Sequence, residues 1–470
     1  MYITRSKWKW AVAILLFITL AATIYGLFKP VPAGTSYKGE VHYTDDLRFL
    51  LNRSSEQDGD RVFNEEIYSA VLEAVEEAES FVAVEMFLLN DKTDGDFPPL
   101  SLTLTEALID ASKRGVNVYV LTDPINTSYF SHESTMINML DDAGVQTIMT
   151  DITRLQDSNP LYSGIWRAYL QWFGQGGNGW IENVFEPEAP QMTVRSFLKL
   201  MNGRANHRKV VITEETGFVM SANFHDESYF YTNTAFQTSG PVLYDLLETV
   251  QAVSDFSDGP DLEAEPSVDQ TDGEYAVQVL TEGENFNRVQ EMLDDAAPED
   301  TVYAALYFLA DTEIVDSIEA AAERGTDIRL ILDPNESAFG MDVFGMPNRP
   351  VAEDLMNLGM SNLQVRWYNT GDEQFHPKMM AVFNDSGLSV IAGSANFTSR
   401  NMRDNNLDTN LYAEMDEGSD TFDEIETFFN EMWTNEESDY TLPYEHYLNP
   451  HSSWREWIYR FQKISGLSTY

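Results

Sequence analysis

Cysteine is missing from all 470 residues, which excludes a disulfide framework, a thiolate metal site and a cysteine nucleophile. Positive charge is scarce, with 29 Lys and Arg against 77 Asp and Glu and a formal net charge of -48. A surface that acidic repels phosphate backbones at long range, so nucleic acid is not expected as a partner; the acidity itself reads as a means of keeping the protein hydrated. Charge is also absent from Trp10 to Phe28, a run about long enough to cross a bilayer as a helix, and Arg5, Lys7 and Lys9 precede it. This pattern predicts an uncleaved anchor over residues 1–30, with the N-terminus in the cytoplasm and the bulk of the chain extracytoplasmic. A cleaved signal peptide is the competing reading, because Val31-Pro32-Ala33 before Gly34 offers small residues at cleavage positions.

With 43% hydrophobic residues the chain has ample material for two globular units. Apolar spacing predicts a helix over Asn64 to Ser80, a strand over Phe81 to Leu89, a helix over Leu104 to Arg114 stopped at Gly115, and a strand over Val116 to Leu121 ending at Asp123-Pro124. The same alternation recurs as Asn285 to Ala297, Val302 to Leu309, Thr312 to Arg324 and Ile328 to Leu332 before Asp333-Pro334. Arg114-Gly115 answers to Arg324-Gly325 and Asp123-Pro124 to Asp333-Pro334 at one offset, the mark of an internal repeat. The expected organisation is a first lobe over 31–254, an acidic linker over 255–273, a second lobe over 274–440 and a tail over 441–470. The first lobe carries an insertion at about 152–205 holding Trp166, Tyr169, Trp172, Phe173 and Trp180, which suits a membrane interface, a lid or a subdomain core. In the tail, Trp454, Trp457, Ile458, Phe461 and Ile464 share one helical face with Arg455, Arg460 and Lys463 away from it, as in an in-plane membrane helix or one docked on the body.

Each half also carries a His-x-Lys triplet followed by Ser-Ala-Asn-Phe. His207-Arg208-Lys209 leads to Ser221-Ala222-Asn223-Phe224, and His376-Pro377-Lys378 leads to Ser394-Ala395-Asn396-Phe397. In an extended strand residues i and i+2 face the same way, so each triplet aims an imidazole and an ammonium at one point. Cleaving a phosphodiester requires a nucleophile, an acid for the leaving oxygen and fixed positive charge on the non-bridging oxygens. Two such sets supply all three: one imidazole attacks, the other protonates the leaving group, and Lys209, Lys378, Asn223 and Asn396 hold the phosphoryl oxygens. His42, His132, His225, His446 and His451 have no such context and are expected on the surface or in structural roles.

These paired motifs resemble the phospholipase D superfamily, whose signature is His-x-Lys, a downstream Asp and Gly-Ser-x-Asn. The resemblance implies an α/β fold of two phospholipase D-like α/β/α lobes related by a pseudo-two-fold repeat and preceded by an N-terminal transmembrane helix. It implies His207 as nucleophile, His376 as general acid, Ser221, Ser394 and Glu214 in support, and no metal or other cofactor. The sequence departs from the pattern at Glu214, which stands at the place of the motif Asp, at Phe383, with Asp385 shortly after, and at Met220, which replaces a Gly. A downstream carboxylate that orients the histidine is matched in the second half by Asp408 of Asn406-Leu407-Asp408. Asn233-Thr234-Ala235 lacks the acid, so Asp226 or Glu227 is expected to orient the first histidine. Together with the anchor and the aromatic insertion, the resemblance implies a phospholipid membrane as partner and a lipid substrate, either hydrolysed or transferred to an alcohol as in cardiolipin synthases. A nuclease-type phosphodiesterase and a catalytically decayed, membrane-tethered lipid binder remain as alternatives, the latter motivated by Met220 and Ala235.

Overall fold

The computed structural model describes the chain apart from residues 1, 58–59, 91–96, 174–178, 184–189, 268–271, 339–340, 343, 372 and 449–470. The helix expected at Trp454 to Ile464 therefore lies outside the described residues.

The repeat folds as two mixed sheets with the same inner order. In the first, the strand Lys209–Thr213 runs antiparallel to Phe81–Met86, which is followed by the parallel strands Asn117–Thr122 and Gln146–Met149. On its other side lie Gly217–Met220, Asn233–Thr238, Leu47–Gln57 and Asp60–Asn64, all antiparallel. In the second sheet Lys378–Asn384 takes the corresponding place, between Thr301–Leu306 with its parallel partners Asp327–Leu332 and Leu363–Tyr368, and the antiparallel run Gly387–Gly393, Thr409–Met415 and Tyr275–Thr281. Each His-x-Lys strand thus starts beside the C-terminal ends of parallel strands, where open α/β sheets gather their ligands.

The layers follow from which faces are apolar. Val210, Ile212, Val219 and Phe236 of the first sheet share one core with Val279, Met379, Ala381 and Val390 of the second, and helices Val242–Phe256 and Asp420–Thr434 close it. The outer faces of the sheets are covered by helices Ile67–Glu77, Leu100–Arg114 and Thr135–Asp142 in one lobe and Gly283–Asp295, Thr312–Arg324 and Asn348–Met356 in the other. The repeated Arg-Gly pair ends matching helices: Gly115 (φ 95°) and Gly325 (φ 108°) take the left-handed conformation that releases the chain into the next strand. Helix Asn64 to Ser80 is shorter than expected, because Asn64 closes the hairpin strand Asp60–Asn64 and the helix runs only over Ile67–Glu77.

Two features tie the lobes together. His42–Thr44, just after the N-terminal helix, pairs with Tyr275–Thr281 of the second sheet, not with the first. The linker lies along the first lobe, where Glu263 N–H donates to Tyr119 Oη and Ser267 N–H to the carbonyl of Glu214.

The N-terminal helix Tyr2–Phe28 is apolar enough from Lys7 to Phe28 to cross a membrane, and its large apolar side chains from Trp8 to Phe28 are exposed, as befits an anchor. Against it packs the insertion, folded as helix Pro160–Ile165, a π-helical turn Trp166–Leu170 and helix Val194–Leu200. Only Trp166 among its tryptophans is buried; Trp172, Phe173 and Trp180 are exposed, which rules out a closed subdomain core for that part.

Candidate active site

His207 and His376 each stand two residues ahead of matched strands, and short cross-lobe bridges fix both. His207 N–H donates to the carbonyl of Leu407, and His376 N–H to that of Thr232, each from the opposite lobe. The imidazoles are oriented across the same seam. Asp408 Oδ1 accepts from His207 Nδ1 at 2.8 Å, and Asn233 Oδ1 accepts from His376 Nδ1 at 2.9 Å.

Asp408 therefore serves the histidine of the first lobe, not that of its own half. This corrects the expectation that Asp226 or Glu227 orients His207. Asp226 instead accepts from Ser101 N–H and Oγ–H at the start of helix Leu100–Arg114, and Glu227 lies beside Tyr231. The structure also shifts the pairing of the two repeats. Ser394 Oγ donates to Asp408 and accepts from Thr409 N–H; Ser221 Oγ donates to Asn233 and accepts from Thr234 N–H. Asp408 thus corresponds to Asn233, and Ala235 to Asn410, so Ala235 does not stand at a lost acid. Register puts Met220 opposite Ala235 where the second lobe has Gly393 opposite Asn410. A Cβ on Gly393 would come within 2.3 Å of Thr409 O, so large and small residues have changed sides between the repeats.

Tautomers follow from the partners. Asp408 also accepts from Asn401 Nδ2, and as a carboxylate it can only accept, so His207 Nδ1 carries the hydrogen. Asn233 Nδ2 donates to Tyr231 O, which turns its oxygen toward His376 and makes His376 Nδ1 a donor as well.

The lysines are fully buried, and both bond back to their own strands: Lys209 Nζ donates to His207 O at 2.7 Å and Lys378 Nζ to His376 O at 2.6 Å. Each ammonium also sits over a ring, Lys209 over Phe87 and Lys378 over Tyr307, and the same rings flank the two imidazoles. Asn223 Oδ1 accepts from Leu88 N–H, whereas Asn396 Oδ1 is buried with no partner among the described residues.

Burial dominates the electrostatics. It holds His207 down at about 4, with the Lys209 charge adding to the effect and Asp408 opposing it. It holds His376 well below the ordinary histidine value, aided by Lys378 and Lys209, lowers Lys209 to about 7, and holds Lys378 well below the ordinary lysine value. Burial and the mutual repulsion of these cations thus lower all four groups from their ordinary values.

Two buried carboxylates explain the repeated Asp-Pro. Asp123 accepts from the N–H of Asn206 at 2.7 Å, and Asp333 from that of Phe375 at 2.8 Å, each the residue just before a catalytic-motif histidine. Burial raises both carboxyls to about 7. A third link, Glu282, accepts from Arg208 at 2.7 Å and from the N–H of Asp408 at 3.0 Å, bracing the two lobes behind the motif. Glu214, expected to support the site, lies beyond the far end of the strand, about 16 Å along the chain from Lys209. There it accepts from Glu79, Ser80 and Phe81 N–H groups and caps the next strand, so its role is in the sheet.

Comparison with known proteins agrees with this geometry. Residues 289–433 match the family described as "Cardiolipin synthase, PLD-like domain". That match lies within the second lobe and makes it similar to a phospholipase D-like domain. The chain is 27% identical over 357 residues to cardiolipin synthase A of Pseudomonas fluorescens, an alignment covering 72% of this chain and 60% of that protein, so it spans about three-fifths of the relative's length. In fold it is similar to the crystal structure of phosphatidylserine synthase from Haemophilus influenzae, with a TM-score of 0.56 at 11% identity over 91% of this chain and 94% of that one. Both His-x-Lys triplets are intact here, and the two orienting groups differ, Asp408 for His207 and Asn233 for His376.

Proposed function

We propose that the protein is a phosphodiesterase or phosphatidyltransferase acting on phospholipids through a phosphohistidine intermediate. The observation that carries this reading is the exchange of orienting groups between lobes, which delivers two histidines and two lysines to one seam with each ring held at Nδ1. His207 Nε2 attacks phosphorus, the bond from phosphorus to the leaving oxygen breaks, and His376 Nε2–H gives that oxygen its proton. His376 then takes a proton from water or a lipid alcohol, whose oxygen attacks phosphorus and releases His207. The phosphodiester brings the negative charge that the site lacks, raising the protonation of His376, Lys209 and Lys378 as it binds.

The unequal partners support the division of labour. Phosphorylated His207 is a cation, and the Asp408 carboxylate beside its Nδ1 stabilises that charge. Asn233 offers His376 orientation without charge, which suits a ring that must both give up and recover a proton. The apolar N-terminal helix supports a site beside a bilayer, and the basic residues before it favour a catalytic body outside the cytoplasm.

The test is product analysis by mass spectrometry after incubation with vesicles of phosphatidylglycerol and phosphatidylethanolamine. The parent protein should release headgroup or form a transfer product, and His207→Ala and His376→Ala should do neither. Equal product from His207→Ala would overturn the reading.

A further inference from the structure

The insertion does more than decorate the first lobe, because it follows the anchor helix downward. Asp157 N–H donates to Gly26 O, Arg167 Nη1 to Ala22 O at 2.7 Å, and Tyr169 Oη to Leu15 O at 2.6 Å while also bonding Thr19 Oγ1. Gly164 meets Thr23 so closely that a Cβ there would stand 2.1 Å from its Oγ1, the small-residue packing by which helices approach in membranes. As the insertion runs from 157 to 169, its contacts climb from Gly26 back to Leu15, about 16 Å along the helix axis. That is roughly half of the ~30 Å hydrocarbon layer.

Whatever layer of the bilayer holds Leu15 to Gly26 must also hold the segment packed beside it. The composition agrees. Ser158 to Ile181 contains a single charged residue, Arg167, in a chain that is 23% charged, and that guanidinium is paired with Asp157 at 2.6 Å. Pro160 to Leu170 is helical, so its backbone groups bond internally, as a lipid environment requires. Leu161, Ile165, Trp172 and Phe173 are turned outward, the last two 72% and 73% exposed.

We propose that Pro160 to Phe173 is a membrane wedge, inserted alongside the anchor helix into the leaflet on the catalytic side, with Trp172 and Phe173 among the acyl chains. The return limb, helix Val194–Leu200, runs on to Asn206 and His207, so the wedge ties the catalytic strand to the lipid surface. The proposal rests on the reading of the N-terminal helix as a span and is independent of the reaction catalysed.

The absence of cysteine allows a direct test on the full chain in proteoliposomes, using single variants Trp172→Cys, Phe173→Cys, Leu16→Cys and the exposed Glu323→Cys. A membrane-impermeant maleimide should label positions 172, 173 and 16 about ten-fold or more slowly than 323, and lipids carrying a quencher on the acyl chain should dim a fluorophore at 172 but not at 323. Labelling of 172 and 173 at the rate of 323 while 16 stays shielded would overturn the wedge alone. Rapid labelling of 16 as well would overturn the span and the wedge together. Neither outcome depends on turnover, so a failure here is distinct from a failure of the proposed reaction.

Discussion

Asp408 and Asn233 occupy equivalent places and differ by one charge, and the two histidines they hold inherit that difference. Asp408→Asn keeps a similar shape but loses the charge opposite His207, and turnover should fall about 10²- to 10⁴-fold with the melting temperature nearly unchanged. An unchanged kcat would remove His207 from the nucleophile's role. Asn233→Asp adds a carboxylate beside His376 and so raises a pKa that burial and the lysines hold down. His376 must be protonated to act as the acid, so the alkaline limb of kcat/KM against pH should move up by about one unit or more. A profile that does not move would contradict the assignment. Lys209 gives a stability readout. Its folded pKa of about 7 lies below the ordinary lysine value through burial, so the stability linked to it is present above the unfolded pKa and lost as pH falls through 7. Lys209→Met should therefore abolish activity yet stabilise the protein at pH 6 relative to pH 10, by a few kcal/mol in the difference. Thermal melts at the two pH values check the sign.

At the scale of elements, Asp123 and Asp333 act through the backbone that carries each histidine. Removing one clamp in Asp123→Ala should lower kcat about 10- to 100-fold with little change in KM, because a small displacement of a reacting group is enough to cost rate. Burial raises the folded pKa of Asp123 to about 7, above its unfolded value, so its contribution to stability is present at low pH and lost as pH rises through 7. Asp123→Asn should accordingly flatten part of the fall in melting temperature between pH 4 and 7, and an unaltered slope would show that this carboxyl does not titrate there. These elements also show what can be read without a structure. The strands Phe81–Met86 and Thr301–Leu306 are plain as apolar runs, and the helices before the repeated glycines are plain from their spacing. The repeated Asp-Pro is visible as a turn signal, but its use as a backbone clamp is not, since its partners lie 83 and 42 residues away. The orienting groups are hidden more deeply. His207 and Asp408 are 201 residues apart and belong to different lobes, and no local pattern marks an exchange between repeats. The matched hydroxyls Ser221 and Ser394 are the one sequence cue that would have aligned Asn233 with Asp408.

For the whole molecule, a net charge of -48 works against compactness and is screened by salt. Raising sodium chloride from low to physiological strength and beyond should raise the melting temperature, and no response would mean that the acidic groups are already balanced by close cations. The acidic body, the apolar N-terminal helix and the scarce cations buried at the lobe seam fit the proposed action on a lipid phosphate. The most direct test of its central claim is to trap the intermediate: quench the reaction with phospholipid under alkaline denaturing conditions and map the modified peptide by mass spectrometry. A phosphorus-containing adduct should appear on His207, vanish in His207→Ala and fall sharply in Asp408→Ala. An adduct on His376, or product formation that persists in His207→Ala, would contradict the account.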